Sequence, residues 1–190
     1  MTEDKVLTLM EELGALHSGH FLLSSGLHSD RYFQCARLLQ FPDLAREVGA
    51  AMGQFFADTA HDLVVSPAMG GILIGHEVAR ALGRRFVFTE RKDGQMMIRR
   101  GFSLEKGEKV IIAEDVVTRG TSLLEVIAVI EEAGGQVVGL TSIIDRTGGD
   151  AGLPMPLHAL ARVQVQTWKA DDCPLCASGQ ELVKPGSRGN

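Results

Sequence analysis

The sequence has 190 residues, 45% of them hydrophobic, and carries a formal net charge of −5. A chain of this length and composition can bury a core of its own, which excludes disordered and fibrous proteins and favours one globular domain. The acidic balance argues against a nucleic-acid-binding protein, although a local basic patch could still bind a small polyanionic substrate.

The N-terminal part of the chain predicts a helix, a strand-like region and a second helix. Residues 2–14 carry an apolar stripe at helical spacing that stops at Gly14. In residues 20–40, strand-like and polar stretches alternate, and residues 24–26 predict a chain reversal. The next helix covers residues 42 to about 57, because Pro42 is well placed in a first helical turn.

Strands and helices then alternate along the chain. The segment DLVVSPAMGG is a short buried strand, and the helical segment after it ends at Gly83. Two strand-like segments flank Asp93 and Gly94, a dipeptide typical of hairpin turns. The segments that follow are the strand KVIIAED, the helix SLLEVIAVIEEAGG and a last core strand, QVVGLTSIIDR. This order predicts a parallel sheet covered by helices on both faces.

The segment VIIAEDVVTRGTS joins a buried strand to a helix. Glu114 and Asp115, the acidic pair, end the strand, and ligands of open α/β sheets bind at that edge. Residues 116–122, the phosphate loop, offer N–H and hydroxyl donors at a helix N-terminus, which suit a phosphate. The loop matches neither a P-loop nor a dinucleotide-binding loop. Carboxylates beside such a loop fit ribose 5-phosphate; the alternative is an ordinary strand end and helix cap.

This segment resembles the phosphoribosyl pyrophosphate (PRPP) signature of the type I phosphoribosyltransferase family. The resemblance implies an α/β fold with a central parallel sheet flanked by helices, a small N-terminal hood and a flexible basic hairpin. It implies one domain over residues 1–190, with the hood at about 1–40 plus a C-terminal segment and the core at about 42–165. It also implies magnesium-dependent transfer of ribose 5-phosphate from PRPP to a nitrogen base.

The same resemblance assigns the PRPP contacts. Glu114 and Asp115 hold the ribose hydroxyls, and Asp115 is expected to be catalytic. The loop residues that contact PRPP are Val116, Val117, Thr118, Arg119, Gly120, Thr121 and Ser122. A second loop, residues 68–71, meets pyrophosphate through the backbone of Ala68, Met69, Gly70 and Gly71, because glycine allows close approach to an anion.

The region around SGLHSDRYF and the strand end IIDRTGG resemble the orotate-using members of the family. Tyr32 and Phe33 match aromatic positions that lie against the pyrimidine, and Arg146 matches the arginine that binds orotate. A planar guanidinium can pair with the orotate carboxylate in bidentate fashion. Ser24 and Thr118 complete the expected base contacts. The alternatives are hood core for the aromatics and a solvated strand-end arginine.

Two positions depart from a well-studied branch of these orotate-using enzymes. That branch has lysines where this sequence has Ser24 and Gly70. The orotate and pyrophosphate sites therefore have fewer side-chain charges here, and the chain resembles a separate branch with small residues at both positions.

A basic hairpin stands out in this acidic chain, with Arg91, Lys92, Arg99 and Arg100 near its turn. By resemblance it is the family's flexible loop, which closes over PRPP and expels water. Arg91 and Lys92 match the pair that reaches pyrophosphate, so we expect both to be catalytic. Arg99 or Arg100 replaces basic residues further along the loop. The family's loop acts across an interface, which implies a homodimer; the alternative is a solvated charged hairpin.

Cys173 and Cys176 form one CxxC pair near the C-terminus, and Cys35 stands alone. Three such cysteines are no disulfide framework. The pair offers two zinc ligands, whereas a closed structural site has four. We interpret the pair as packing a turn of the tail. The alternative is a zinc site completed by His17, His158 or a second copy of the chain.

The resemblance to the orotate-using branch implies that the chain makes orotidine 5′-monophosphate and pyrophosphate from orotate and PRPP, in pyrimidine (UMP) biosynthesis. The alternatives are a transferase for another nucleobase and a non-enzymatic PRPP-binding regulator. We expect no membrane contact, because no apolar run approaches the roughly 20 residues that span a bilayer. The N-terminus is acidic and unlike a signal peptide, so we expect a cytoplasmic protein.

Overall fold

The computed structural model describes residues 1–23, 25–149 and 151–185. The helices are α1 (Glu3–Glu12), α2 (Ala36–Leu39), α3 (Pro42–Gly53), α4 (Gly71–Leu82), α5 (Thr121–Glu132) and α6 (Pro174–Ala177). The strands are β1 (Leu16–Leu22), β2 (His28–Phe33), β3 (Leu63–Pro67), β4 (Arg85–Lys92), β5 (Gln95–Ile98), β6 (Lys109–Val117), β7 (Gln136–Asp145), β8 (Leu157–Arg162) and β9 (Thr167–Trp168). Within these ranges, every helix is too short or too polar to cross a membrane.

A six-stranded sheet forms the centre of the fold, in the order β5-β4-β3-β6-β7-β8. The neighbours from β4 to β8 run parallel, and β5 pairs antiparallel with β4 through the turn at Asp93 and Gly94. Both turn residues have positive φ, at 53° and 84°, as a tight hairpin requires. The predicted parallel sheet and hairpin are therefore confirmed.

Apolar residues cover both faces of this sheet. Val64 and Ile111 face a cluster that includes side chains of α1, α3 and α4, while Val65 and Ile112 face a cluster built around α5. Successive residues of a strand point to opposite faces, so near-continuous apolar strands supply both clusters. The burial of both faces leaves the carboxyl edge of the sheet as the place where polar side chains can gather.

A second, three-stranded sheet lies at the N-terminal end of the chain, in the order β1-β2-β9, and we call it the hood sheet. β1 and β2 are antiparallel, and β9 adds a two-residue edge in which Trp168 pairs with His28. Further along the C-terminal segment (residues 164–185), Val183 exchanges two backbone hydrogen bonds of 2.8 Å with β1. The hood sheet thus joins both ends of the chain.

Several elements differ from the sequence predictions, among them β9 and α6, for which the sequence predicted no element. β7 is not the last core strand, because β8 pairs with it in parallel as an edge. In the segment LHALAR, polar and apolar residues do not alternate regularly and only two residues are buried, so its pattern does not predict a strand. β6 continues to Val117, two residues beyond the acidic pair. The short helix α2 lies within residues 20–40, for which the sequence predicts strand-like structure. The predicted base contact Ser24 lies outside the described residues.

Helices α3 and α4 approach each other closely at Gly49. A Cβ atom at this position would lie 2.5 Å from Glu77 Cβ and 2.7 Å from the Glu77 carbonyl carbon. Gly53, one turn later on α3, has more room, with the nearest atoms of Leu82 at 3.4 Å.

The Gly49→Ala substitution should therefore lower the free energy of unfolding by about 1–3 kcal/mol, because the added methyl group overpacks the contact between the two helices. Gly53→Ala is the matched control and should leave the stability unchanged or raise it. Urea titration followed by circular dichroism measures both. Equal free energies for the two variants would contradict the close approach at Gly49.

Candidate active site

The phosphate loop connects β6 to α5 along the edge of a cavity of about 250 Å³. Gly120 has φ of +72° and would place a Cβ atom 3.1 Å from Ala151, so glycine suits this position in both conformation and space. No side chain of the described residues caps the N-terminus of α5. Its first amide groups are therefore available to an anion, together with the positive end of the helix dipole.

The cavity brings together most of the residues predicted around the phosphate. Glu114 and the whole phosphate loop line it, and so does one residue of the basic hairpin. The lining residues are Arg91, Glu114, Val116, Val117, Thr118, Arg119, Gly120, Thr121, Ser122 and Leu123.

The acidic pair lies inside β6 rather than at its last residue. Glu114 Oε1 accepts a hydrogen bond of 3.1 Å from the N–H of Asp115, and Asp115 Oδ1 accepts one of 2.8 Å from Val116. Burial raises the pKa of Glu114 well above its usual range, and the neighbouring charge of Asp115 raises it further. Burial also raises the pKa of Asp115, against the lowering effect of its hydrogen bonds. The pair therefore favours a ligand that stabilises its negative charge.

The second loop packs against this acidic pair. A Cβ atom at Gly70 would lie 2.7 Å from Asp115 Oδ2, and one at Gly71 would lie 3.0 Å from Glu114 Oε1. A lysine at position 70 would therefore displace the carboxylate in this arrangement, which gives a physical reason for the glycine there. The loop begins with a cis peptide bond between Ala68 and Met69.

The aromatic residues of β2 approach the same edge from the hood sheet. Burial raises the pKa of Tyr32, and the charge of Asp115 adds to this shift, so the phenol lies near the acidic pair. Its hydroxyl donates a hydrogen bond of 2.9 Å to Gln34 Oε1. The ring of Phe33 lies under the guanidinium of Arg146, 5.2 Å from its centroid to the guanidinium carbon.

Arg146 connects the hood to the phosphate loop. Its backbone N–H donates a hydrogen bond of 2.8 Å to the carbonyl of Val117. Its Nε atom is buried, with no hydrogen-bond partner among the described residues. Burial lowers the pKa of Arg146, and the negative charge of Asp30 partly offsets that shift. A half-buried cation with an unused donor is well suited to bind an anionic ligand.

The basic hairpin contributes one residue to the cavity in this conformation. Arg91 donates a hydrogen bond of 3.0 Å to Glu125 Oε1 on α5 and a second bond to Glu125 Oε2. Arg99 and Arg100 instead bind Glu90, whose pKa is lowered mainly by the hydrogen bond from Arg100. Lys92 is exposed and does not line the cavity of its own chain.

Sequence reasoning gave no site role to three residues around the site: Glu125 lies outside every motif, Asp30 lies within SGLHSDRYF but was not singled out, and Cys35 was noted only as a lone cysteine. Glu125 binds Arg91, and Asp30 faces Arg146. Cys35 is buried with its Sγ atom 4.0 Å from the carbonyl oxygen of Asp115. Burial, followed by the charges of the acidic pair, raises the pKa of the Cys35 thiol well above its usual range. The Cys35 thiol therefore stays neutral and lies against the backbone of the strand that carries the carboxylates.

The CxxC pair lies outside this cavity. Cys173 and Cys176 are both free thiols, and their sulfur atoms lie next to His20 and His28. The partners suggested by the sequence were wrong, because His158 stacks on Phe55 at 5.3 Å and His17 is not in the cluster. The interpretation of the pair as a simple tail turn does not account for the two histidines.

The chain matches the family model of the phosphoribosyl transferase domain over residues 34–151. It is 47% identical over 188 residues to an orotate phosphoribosyltransferase of Desulforamulus reducens, covering 99% of this chain and 98% of that protein. A solved orotate phosphoribosyltransferase of Aeropyrum pernix has a TM-score of 0.68 at 24% identity, covering 83% of this chain and 93% of that one. An adenine phosphoribosyltransferase of Rhodothermus marinus has a TM-score of 0.66 at 24% identity, covering 83% and 99%.

The buried acidic pair predicts a dependence of stability on pH. Because the folded-state pKa of Glu114 is raised, the folded protein holds a proton that the unfolded chain has already released. The wild-type protein should therefore lose stability as pH rises from about 4.3, the ordinary value of a glutamate, towards the raised pKa. Glu114→Gln removes this loss and should raise the free energy of unfolding at pH 7 by on the order of 1 kcal/mol.

Glu131→Gln, at an exposed position on α5, is the control and should have the stability of the wild type at every pH. Urea titrations from pH 4 to pH 8 measure the difference, which should shrink towards the acid end. A Glu114→Gln variant that is less stable than the wild type at pH 7 would contradict the assignment.

Proposed function

The chain belongs to the phosphoribosyl transferase domain family and to the orotate phosphoribosyltransferases within it, and from this premise we propose how its own residues carry out the reaction. The substrates are PRPP and orotate, and the products are orotidine 5′-monophosphate and pyrophosphate. Solved structures with orotate and adenine in their names share the fold at nearly equal TM-scores. The choice of base must therefore rest on individual side chains.

The ribose 5-phosphate half of PRPP fits the cavity along β6 and α5. The free amides of the phosphate loop and the α5 dipole attract the 5-phosphate, and the hydroxyl groups of Thr118, Thr121 and Ser122 add donors. The carboxylates of Glu114 and Asp115 accept hydrogen bonds from the ribose hydroxyls. Ligand hydroxyl groups would then replace the water that the buried pair has lost, which favours the ionised carboxylates.

Arg146 carries the proposal for orotate as the base. Val117 at the end of β6 pairs with Asp145 at the end of β7, so Arg146 follows one strand away from the phosphate loop. The Nε donor of Arg146 has no partner among the described residues, and burial lowers the pKa of the guanidinium, so an anion beside it would stabilise the charged form. Orotate has a carboxylate that can do this. Phe33 and Tyr32 add flat aromatic faces on the hood side, which suit a pyrimidine ring.

The reaction needs no nucleophile from the protein. A ring nitrogen of orotate forms a bond to the anomeric carbon of PRPP while the bond from that carbon to pyrophosphate breaks. Pyrophosphate leaves with the electron pair, and the proton of the attacking nitrogen is released to solvent or to the departing pyrophosphate. Positive charge builds on the ribose in the transition state, close to the acidic pair. The chain supplies orientation through the phosphate loop and Arg146, and Arg91 lies where it can attract the departing pyrophosphate.

Magnesium fits the acidic pair by the nature of its donors, since carboxylate oxygens are hard ligands and Glu114 lines the cavity. Glu114 and Asp115 would hold the ion together with the bound substrate, without a closed cage of protein ligands. When bound, magnesium lowers the charge that builds on the leaving pyrophosphate.

We also propose that the whole chain acts as one domain and works as a cytoplasmic homodimer. The hood comprises residues from about 1 to 40 together with the C-terminal segment. The core comprises residues from about 42 to 165. The free cysteines Cys35, Cys173 and Cys176 suit a reducing compartment. The exposed Lys92 at the hairpin turn is free to reach the site of a partner subunit, whereas Arg91 binds Glu125 of its own chain.

A panel of bases tests the function directly. Purified protein with PRPP and Mg²⁺ is offered orotate, uracil or adenine, and the release of pyrophosphate is followed with each base, together with the fall in absorbance when the base is orotate. Turnover of orotate alone is expected. Turnover of another base with no use of orotate would contradict the proposal, and PRPP binding without turnover of any base would identify a regulator.

Arg146→Ala should raise the KM for orotate by at least about tenfold, because a charge-assisted pair contributes roughly 1.5–3 kcal/mol. The KM for PRPP should change by less than about twofold, since no phosphate contact is lost. Arg162→Ala, at the end of the neighbouring strand β8, is the control and should leave both values unchanged. Steady-state kinetics with each substrate varied in turn measure both KM values. An equal rise in the two would contradict the assignment of Arg146 to the orotate carboxylate.

A heterodimer tests whether the hairpin acts across the interface. Lys92→Ala and Asp115→Asn chains, each inactive alone, are co-expressed with different tags and purified as a mixed dimer. If Lys92 acts on the partner, one of the two sites is intact and activity returns to about half of the wild type. If Lys92 acts within its own chain, both sites remain defective and no activity returns.

A further inference from the structure

Four potential metal ligands converge between the hood sheet and the C-terminal segment. They are His20 on β1, His28 on β2, and Cys173 and Cys176 at the start of α6. Their ligand atoms all lie within 4.8 Å of one another. The three residues His20, His28 and Cys173 are 2%, 4% and 3% exposed, so the cluster is shielded from solvent on most sides.

Three of the four short distances in this cluster fall in the range found around a tetrahedral zinc ion, and the fourth, between the two histidine nitrogens, is shorter. His20 Nε2 lies 2.9 Å from His28 Nδ1 and 3.4 Å from Cys173 Sγ. Cys176 Sγ lies 3.3 Å from His28 Nδ1 and 3.7 Å from His20 Nε2. Zinc bound at its usual distances to nitrogen and sulfur holds ligand atoms about 3.3–3.8 Å apart.

A second contact prepares His20 to act as a ligand. Its Nδ1 atom lies 2.9 Å from the carbonyl oxygen of Gln180, which can only accept a hydrogen bond. The proton of the neutral ring is therefore on Nδ1, and the lone pair of Nε2 points into the cluster. Zinc-binding histidines are commonly oriented by such a contact on the other ring nitrogen.

The C-terminal segment has little else to hold it in place. Between residues 164 and 185, Cys173 is the only buried residue, and Leu182 and Val183 are 40% and 45% exposed. Its helix α6 has four residues and its strand β9 has two. Elements this short do not fold on their own, so a metal that joins them to β1 and β2 would supply the missing stabilisation.

We propose that His20, His28, Cys173 and Cys176 form a closed structural zinc site that fastens the C-terminal segment to the hood sheet. Two thiolates balance the two charges of the ion, so the bound site is neutral and tolerates burial. Because β2 continues from His28 to Tyr32 and Phe33, the same ion braces the strand that faces the base.

Metal analysis of the intact protein tests this site without reference to its activity. Protein expressed with added zinc and purified in a reducing buffer without chelator should contain about one zinc per chain. Cys173→Ser and His28→Ala should each fall below about a tenth of that content, because a structural site loses its closed shell with any ligand. Cys35→Ser and His17→Ala, which change a cysteine and a histidine outside the cluster, should keep it.

Two further measurements keep the test independent of folding defects in the variants. His20→Cys preserves a ligand and should retain zinc. Wild-type protein loaded with Co²⁺ should show the strong visible bands of a tetrahedral site and a near-ultraviolet thiolate-to-cobalt band. Wild-type protein that purifies without zinc and fails to bind added zinc or cobalt would overturn the proposal, as would full zinc content in Cys173→Ser.

Discussion

The close approach of a glycine backbone to two buried carboxylates is the constraint on which the active site depends. A Cβ atom at Gly70 would lie 2.7 Å from Asp115 Oδ2, and one at Gly71 would lie 3.0 Å from Glu114 Oε1, so side chains there would crowd the carboxylates. The acidic pair is buried, and burial raises the pKa of both carboxyl groups. The protein thus carries a polar group that is poorly solvated until a ligand arrives. Ribose hydroxyls and a hard cation are suitable partners for it.

The parallel register of the sheet places a second binding element, Arg146, beside the phosphate loop. Val117 pairs with Asp145, so the phosphate loop and Arg146 emerge from neighbouring strands at the same edge. The bond from the Arg146 N–H to the Val117 carbonyl holds the two together. Phosphate and base can therefore be bound at fixed separation by one rigid element, and among the described residues the hood adds the aromatic rings of Tyr32 and Phe33 and the charge of Asp30.

The hood and the core are stabilised by different interactions. The core sheet is covered by two apolar clusters, whereas the hood sheet has three strands, one of them two residues long. A small sheet with an exposed C-terminal segment has little apolar area to bury. A zinc ion at His20, His28, Cys173 and Cys176 would give the hood rigidity through four bonds instead of a larger core, and would do so beside the strand that we propose contacts the base.

The sequence by itself determined the class of fold and the position of the phosphate loop. Apolar strands that alternate with helices, and an acidic pair before a glycine-containing turn, are local patterns with a direct physical meaning. The tertiary structure decided what depends on residues distant in the chain. It brought Glu125 to Arg91 and His20 and His28 to the CxxC pair, it placed the charge of Asp30 near enough to Arg146 to affect its pKa, and it showed β8 as an edge strand. None of these contacts has a sequence signal, because each joins elements whose separation in space is set by packing rather than by spacing along the chain.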